Sequence, residues 1–106
     1  MIARQVEVNL KPEKLVEFKN IYEKEILPIL KRQTGFLDCI TLSPENTHDR
    51  SISLTLWRTK QDCENYDKKE YQKIIDMVRP LLHDTPNIQY FTVEYTTFRK
   101  VETVAA

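Results

Sequence analysis

An α+β fold of order β-α-β-β-α-β, a four-stranded antiparallel sheet with its helices on one face, is predicted by three observations. Three stretches alternate apolar and polar residues at period two, and a fourth is rich in Thr, Tyr, Phe and Val. Two stretches repeat apolar residues at three- and four-residue steps. Turn-forming residues punctuate the chain between them. The 106 residues fit one domain spanning 1–106, long enough to bury a real core.

The elements follow in order. In IARQVEVNL, residues 2 to 10, Ile2, Arg4, Val6, Val8 and Leu10 share one face of a strand, and Gln5, Glu7 and Asn9 the other. Pro12 suits the first turn of a helix, where its missing N–H costs nothing. Leu15, Phe18, Tyr22, Ile26, Ile29 and Leu30 then form one apolar stripe. Pro28 inside that stripe predicts a kink or break near Leu27. Thr34-Gly35 ends the helix, with Gly35 suited to a left-handed position.

FLDCITLSP, residues 36 to 44, and SISLTLW, residues 51 to 57, are expected to pair as an antiparallel hairpin across the polar turn ENTHDR. Thr59 to Asp62 reads as a capping box, so Trp57 closes a strand and a helix begins about two residues later. That helix is expected to run to about Asp67, followed by a second segment over 70–82 with Pro80 disturbing its last turn. After the loop HDTPN comes a long strand, 88–98. The order is the ferredoxin-like one.

Composition excludes several functions. Sixteen Lys and Arg balance sixteen Asp and Glu, so no basic field draws in nucleic acid or anionic lipid. No apolar run has the length of a membrane span, and the first residues lack a secretory signal, so a cytoplasmic location is expected. The only glycine is Gly35, which leaves no nucleotide-binding loop and no nucleophile elbow. Cys39 and Cys63 match no metal or redox spacing and read as structural thiols.

The Pro-initiated first helix, the Thr34-Gly35-Phe36 turn and LTLWRTKQDCENY leading into a helix resemble the antibiotic biosynthesis monooxygenase family, within the dimeric α+β barrel superfamily. The resemblance covers nearly the whole chain. It implies either a cofactor-independent oxygenase acting on quinol-like aromatics or a haem-degrading oxygenase, with the ligand between helices and sheet. The haem-degrading branch places an iron-ligating histidine ten residues after the aromatic matched by Tyr66. Here that position is Asp76, and His83 lies further on, beyond Pro80. A carboxylate is a poor substitute for imidazole on haem iron, which argues against that branch. Nor does Asn9 match the register of that branch's asparagine. No cofactor and no metal site are expected.

On this resemblance Trp57, Tyr66 and Tyr22 would wall a substrate pocket, His83 would be the base for a phenol or quinol, and Asn9 would orient oxygen or a carbonyl. Each has a plainer reading. Trp57 can be a core aromatic at a strand end, Tyr22 and Tyr66 core-edge residues with wet tips, His83 and His48 solvated loop residues, and Asn9 a turn former. A non-catalytic binding or regulatory module on the same fold is the alternative function. Its amino-acid-binding version usually has a glycine-rich turn where this chain has Asn9-Leu10-Lys11-Pro12.

The sheet face away from the helices is expected to hold Gln5, Glu7, Asn9, Leu37, Cys39, Thr41, Ser53, Thr55, Phe91, Val93 and Tyr95. A second copy is expected to cover it, with the segment 98–104 crossing onto the partner.

Overall fold

The computed structural model describes residues 1–98, and the expected crossing segment therefore lies outside the described residues from residue 99 onward. The chain forms β1 (Ile2–Asn9), a helical arm, the hairpin of β2 (Phe36–Leu42) and β3 (Arg50–Trp57), a second helical arm, and β4 (Asn87–Thr92). The sheet order is β2-β3-β1-β4, antiparallel throughout. Helices cover one face, and one apolar core fills the space between the layers. Among the described residues no helix is long and apolar enough to cross a membrane.

The first arm is α1 (Leu15–Ile21), a π-helical stretch Tyr22–Ile26, and α2 (Leu27–Lys31). Pro28 explains the π-helical stretch. It has no N–H, and its ring excludes the carbonyl four residues back. The chain widens by one residue per turn ahead of it, so the Leu27 N–H bonds to the Tyr22 carbonyl. The expected break near Leu27 is therefore a change of helical pitch. The expected start is corrected. Pro12 lies in a turn before the helix, with Glu13 at φ 63°, and α1 begins at Leu15.

The turn at Gly35 has φ 82°, as the sequence predicts. Its carbonyl accepts from Arg58 N–H at 2.8 Å. A Cβ here would collide with the Asp62 carboxylate. Gly35→Ala is therefore expected to cost about 1–3 kcal/mol, combining left-handed strain with the displacement of Asp62. Urea unfolding with an unchanged m-value checks this, and a loss below about 0.5 kcal/mol would contradict it.

The second arm is α3 (Lys60–Lys69), α4 (Tyr71–Val78) and a 3₁₀ turn, Arg79–Leu81, that carries Pro80. Thr59 Oγ accepts from Asp62 N–H at 3.1 Å, half of the expected box. The Asp62 side chain stands over Gly35 rather than completing the other half. α3 continues to Lys69, past the expected end at Asp67.

Two expectations about the sheet are corrected. β4 ends at Thr92, well short of Phe98, because its partner β1 runs out. Thr92 pairs with Ile2, and Val93 N–H reaches Met1 as the last rung. The second concerns which residues face the helices. In β2 and β3, Cys39, Ser53 and Thr55 lie on the helix side, as does Thr41, which pairs with Ser53. Ile40, Leu42, Ile52, Leu54 and Leu56 lie on the open side. An irregularity between Phe36 and Asp38 shifts the register of β2 and inserts Leu37 as an extra, buried residue. The open side of β1 and β4, with Gln5, Glu7, Asn9 and Phe91, is as expected.

Candidate active site

The polar residues turned inward by β3 have a consequence between the layers. A cavity of about 50 Å³ lies between sheet and helices. Its floor is Arg4, Val6 and Val8 of β1 with Ser51, Ser53 and Thr55 of β3. Its roof is Phe18, Tyr22, Ile26 and Leu30 of the first arm and Tyr66, Tyr71, Ile74, Ile75 and Val78 of the second. Hydroxyl groups and one cation thus enter an otherwise apolar chamber.

Tyr22 is the partition. Its hydroxyl is hydrogen-bonded to Ser53 Oγ at 2.6 Å and to Cys39 Sγ at 2.9 Å. On the far side of Phe18, Tyr22 and Ser51 lies a groove of about 270 Å³, lined also by Cys39, Thr41 and Leu27. Tyr22 is the first residue of the π-helical stretch, so the device that accommodates Pro28 also places this ring. Burial pushes its phenol well above the ordinary tyrosine range, and the neighbouring Cys39 adds to that shift. Burial likewise raises the Cys39 thiol. Both groups are neutral near pH 7.

Tyr66 lines the cavity, and Trp57 packs directly behind it with ring centroids 4.9 Å apart. Trp57 is 0% exposed and meets Phe36 edge-on at 5.7 Å. Its Nε1–H donates to Thr55 Oγ at 2.9 Å, and Thr55 is itself part of the cavity floor. Burial raises the Tyr66 phenol above its ordinary range, opposed by Arg4. Cys63 beneath it is raised to about 11, chiefly by burial, and is a protonated core thiol.

The structure therefore brings together three of the five residues singled out in the sequence. Tyr22 and Tyr66 line the cavity, and Trp57 supports it from one layer back. Asn9 and His83 meet each other elsewhere. They lie where β1 leaves the sheet, with His83 N–H donating to the Asn9 carbonyl at 2.7 Å. Asn9 Nδ2 donates to the Asp84 carboxylate at 3.2 Å, and the His83 side chain is 70% exposed. Neither lines the cavity. The reason is the bridge between Leu10 and Leu82, which turns both flanking residues outward while the two leucines enter the core.

Arg4 is the residue that sequence reasoning passed over. It is 2% exposed and stacks on Tyr71 at 4.5 Å and on Tyr66 at 5.2 Å. Its Nε lies 2.8 Å from Asp67 Oδ1, an ion pair too poorly aligned to be a hydrogen bond. Asp67 also accepts from the Tyr90 hydroxyl. The available signal was a charged side chain on the face of a strand otherwise holding Ile2, Val6 and Val8. A buried cation needs a partner, and the sequence does not reveal which carboxylate supplies it.

A family model described as antibiotic biosynthesis monooxygenase matches residues 1–75, from β1 into α4. Solved structures share the fold. A putative antibiotic biosynthesis monooxygenase from Nitrosomonas europaea is 17% identical with a TM-score of 0.77, covering 90% of this chain and 100% of that one. SnoaB, a cofactor-independent oxygenase from Streptomyces nogalater, is 14% identical with a TM-score of 0.77, covering 91% and 95%. A conserved protein from Methanosarcina mazei is 19% identical with a TM-score of 0.74, covering 89% and 94%. No curated protein matches the sequence. The chain belongs to the antibiotic biosynthesis monooxygenase family.

Proposed function

We propose that the protein is a small cofactor-independent monooxygenase that oxidises a hydroxylated, quinol-like aromatic held between helices and sheet. The carrying observation is the inverted hairpin: β3 aims Ser51, Ser53 and Thr55 into a chamber roofed by Tyr22, Tyr66 and Tyr71. Aromatic faces would sandwich a ring, and the small hydroxyls would meet its oxygens.

The chamber alone is too small for such a ligand, since ligand pockets begin near roughly 300 Å³. Joined to the adjoining groove across Tyr22, it reaches that size. Substrate entry in this reading exchanges the Tyr22 bonds to Ser53 and Cys39 for bonds to substrate. A phenol reacting at its para carbon gains one oxygen atom there and loses the ring and phenolic hydrogens. The second oxygen atom of O₂ leaves as water, so the products are a quinone and one water. The electrons come from the substrate itself. The protein supplies the dry chamber, the orientation and the stabilisation of the ionised phenol.

Oxygen uptake with a panel of phenols and quinols in metal-free buffer tests the reading. Protein-dependent uptake with one quinone formed per oxygen consumed is expected. Ligand binding without uptake across the panel overturns it and favours a binding module on the same fold.

We infer also that two copies pair through the open sheet face. Ile40, Leu42 and Phe91 are 45–49% exposed there, beside Ile52, Leu54 and Leu56. An apolar patch on a sheet suits a second sheet stacked on it.

A further inference from the structure

The guanidinium of Arg4 carries an unmet demand. Nη2 is buried with no hydrogen-bond partner, and Nε has only the misaligned contact with Asp67. An arginine facing a carboxylate commonly engages it with two parallel N–H groups. Here the carboxylate is taken at one corner and shared with Tyr90. Leaving charged donors dry is costly, and native interiors contain few such groups. Arg4 also lines the cavity. The side chain that carries the orphan donors is thus part of the chamber wall, with Nε and Nη2 themselves covered until a ligand enters.

We propose that Arg4 is the anchor for the ionised oxygen of the substrate, which makes the ligand class a phenolate bound by charge-assisted hydrogen bonds from the guanidinium. This assignment rests on the oxygenase reading for the ligand being a phenol, and on the geometry alone for where its oxygen sits. An anchored phenolate is also the electron-rich form that passes electrons to oxygen. No separate base inside the chamber is then needed, because Arg4 favours the ionised form and the proton leaves to water before the ligand is enclosed. The groups that face Arg4 are Asp67, Tyr66 and Cys63 of α3, Tyr71 of α4 and Tyr90 of β4. Asp67 is the only carboxylate among them. Its side chain is 22% exposed against 3% for Arg4, so water screens its repulsion of an incoming anion more than it screens the attraction from Arg4. The four neutral groups stay protonated near pH 7, their burial raising them.

The test is 4-nitrophenol, whose phenolate has its own visible absorption band, titrated into the full chain across the pH range of its ionisation. Nitrobenzene, the same shape without the ionisable oxygen, is the comparison. The bound phenol is expected to ionise about tenfold more readily than the free one, and to bind at least about tenfold more tightly than nitrobenzene. Arg4→Met should abolish both differences, and Arg4→Lys, which keeps the charge without the fork, should restore part of the first. If Arg4→Met does not fold, the comparison of phenol with nitrobenzene on the unaltered protein still decides. Unchanged ionisation with equal binding of the two compounds overturns the assignment, as does binding of neither. Tighter binding of benzoate than of nitrophenolate overturns it in favour of an aromatic acid. Phenolate capture without oxygen uptake upholds Arg4 as an anchor while overturning the oxygenase reading.

Discussion

Trp57→Ala is expected to lower the melting temperature by on the order of 15 °C or more, an effect large enough to leave little folded protein at 37 °C. The residue is fully buried, with Phe36 on its edge and Tyr66 on its face. Truncating a buried Trp costs about 3–5 kcal/mol, because the lost transfer energy is joined by the cavity left behind. The Thr55 hydroxyl would also lose its donor partner, the Trp57 indole. A domain of this size has about 5–15 kcal/mol in total, so the change takes a large share. Trp57→Phe keeps most of the ring and forfeits the indole N–H, and should cost about 1–2 kcal/mol. Far-UV circular dichroism during heating measures both without depending on tryptophan emission. If Trp57→Ala melted within about 2 °C of the parent, the ring would not be core, and a direct substrate contact would regain ground.

The sequence left that choice open. A lone Trp at the junction of a strand and a helix can be a pocket wall, and is more often a core plug. Its position one layer behind Tyr66 makes it the plug that positions the wall. The element order, the Pro28 break and the Gly35 turn were legible because each rests on local chemistry: period, a missing N–H and a positive φ. The facing of β2 and β3 was not legible. Alternation in SISLTLW separates two faces without saying which is inner, and the usual rule sends Ile52, Leu54 and Leu56 toward the helices. The chain does the reverse, and the small polar residues thereby turned inward are those that furnish the cavity. Local rules tend to fail at sites that serve function, and the facing of this hairpin accords with the role proposed above for the cavity. The partnership of Arg4 with Asp67 was illegible for another reason. It joins residues 63 apart in sequence, and on paper 15 other carboxylates compete for Arg4 and 15 other cations for Asp67. The end of β4 depends on where β1 begins, a tertiary fact that the Thr- and Tyr-rich run over 88–98 does not contain.

The open face left by that inversion yields the remaining large effect. In the two-copy arrangement inferred above, light scattering at micromolar concentration should give about twice the 12.6 kDa of one chain. Leu54→Asp should abolish that pairing. Leu54 stands on β3, an inner strand, between Ile40 of β2 and Gln5 of β1, so it lies near the centre of the face. A micromolar dimer is held by about 8 kcal/mol. Burying an unpaired carboxylate at its centre costs several kcal/mol, which weakens association by a factor of 100 or more. The single chain should tolerate the change, because Leu54 is part-exposed there and points away from the core. A monomeric, cooperatively melting Leu54→Asp protein is therefore the expected result. Tyr95→Asp is the contrasting variant: Tyr95 is 85% exposed and lies beyond the last rung of β4, so its effect should be smaller. A parent protein that scatters as 12.6 kDa would refute the pairing, and a Leu54→Asp protein that stays dimeric would move the interface off this face. The polar strip of Gln5, Glu7, Asn87 and Gln89 runs beside the apolar patch on the same face. A two-fold axis superimposes one face on its own copy, so patch must meet patch and strip must meet strip for every buried amide to find a partner. That match holds when the axis runs across the strands, so that each strand faces its own copy.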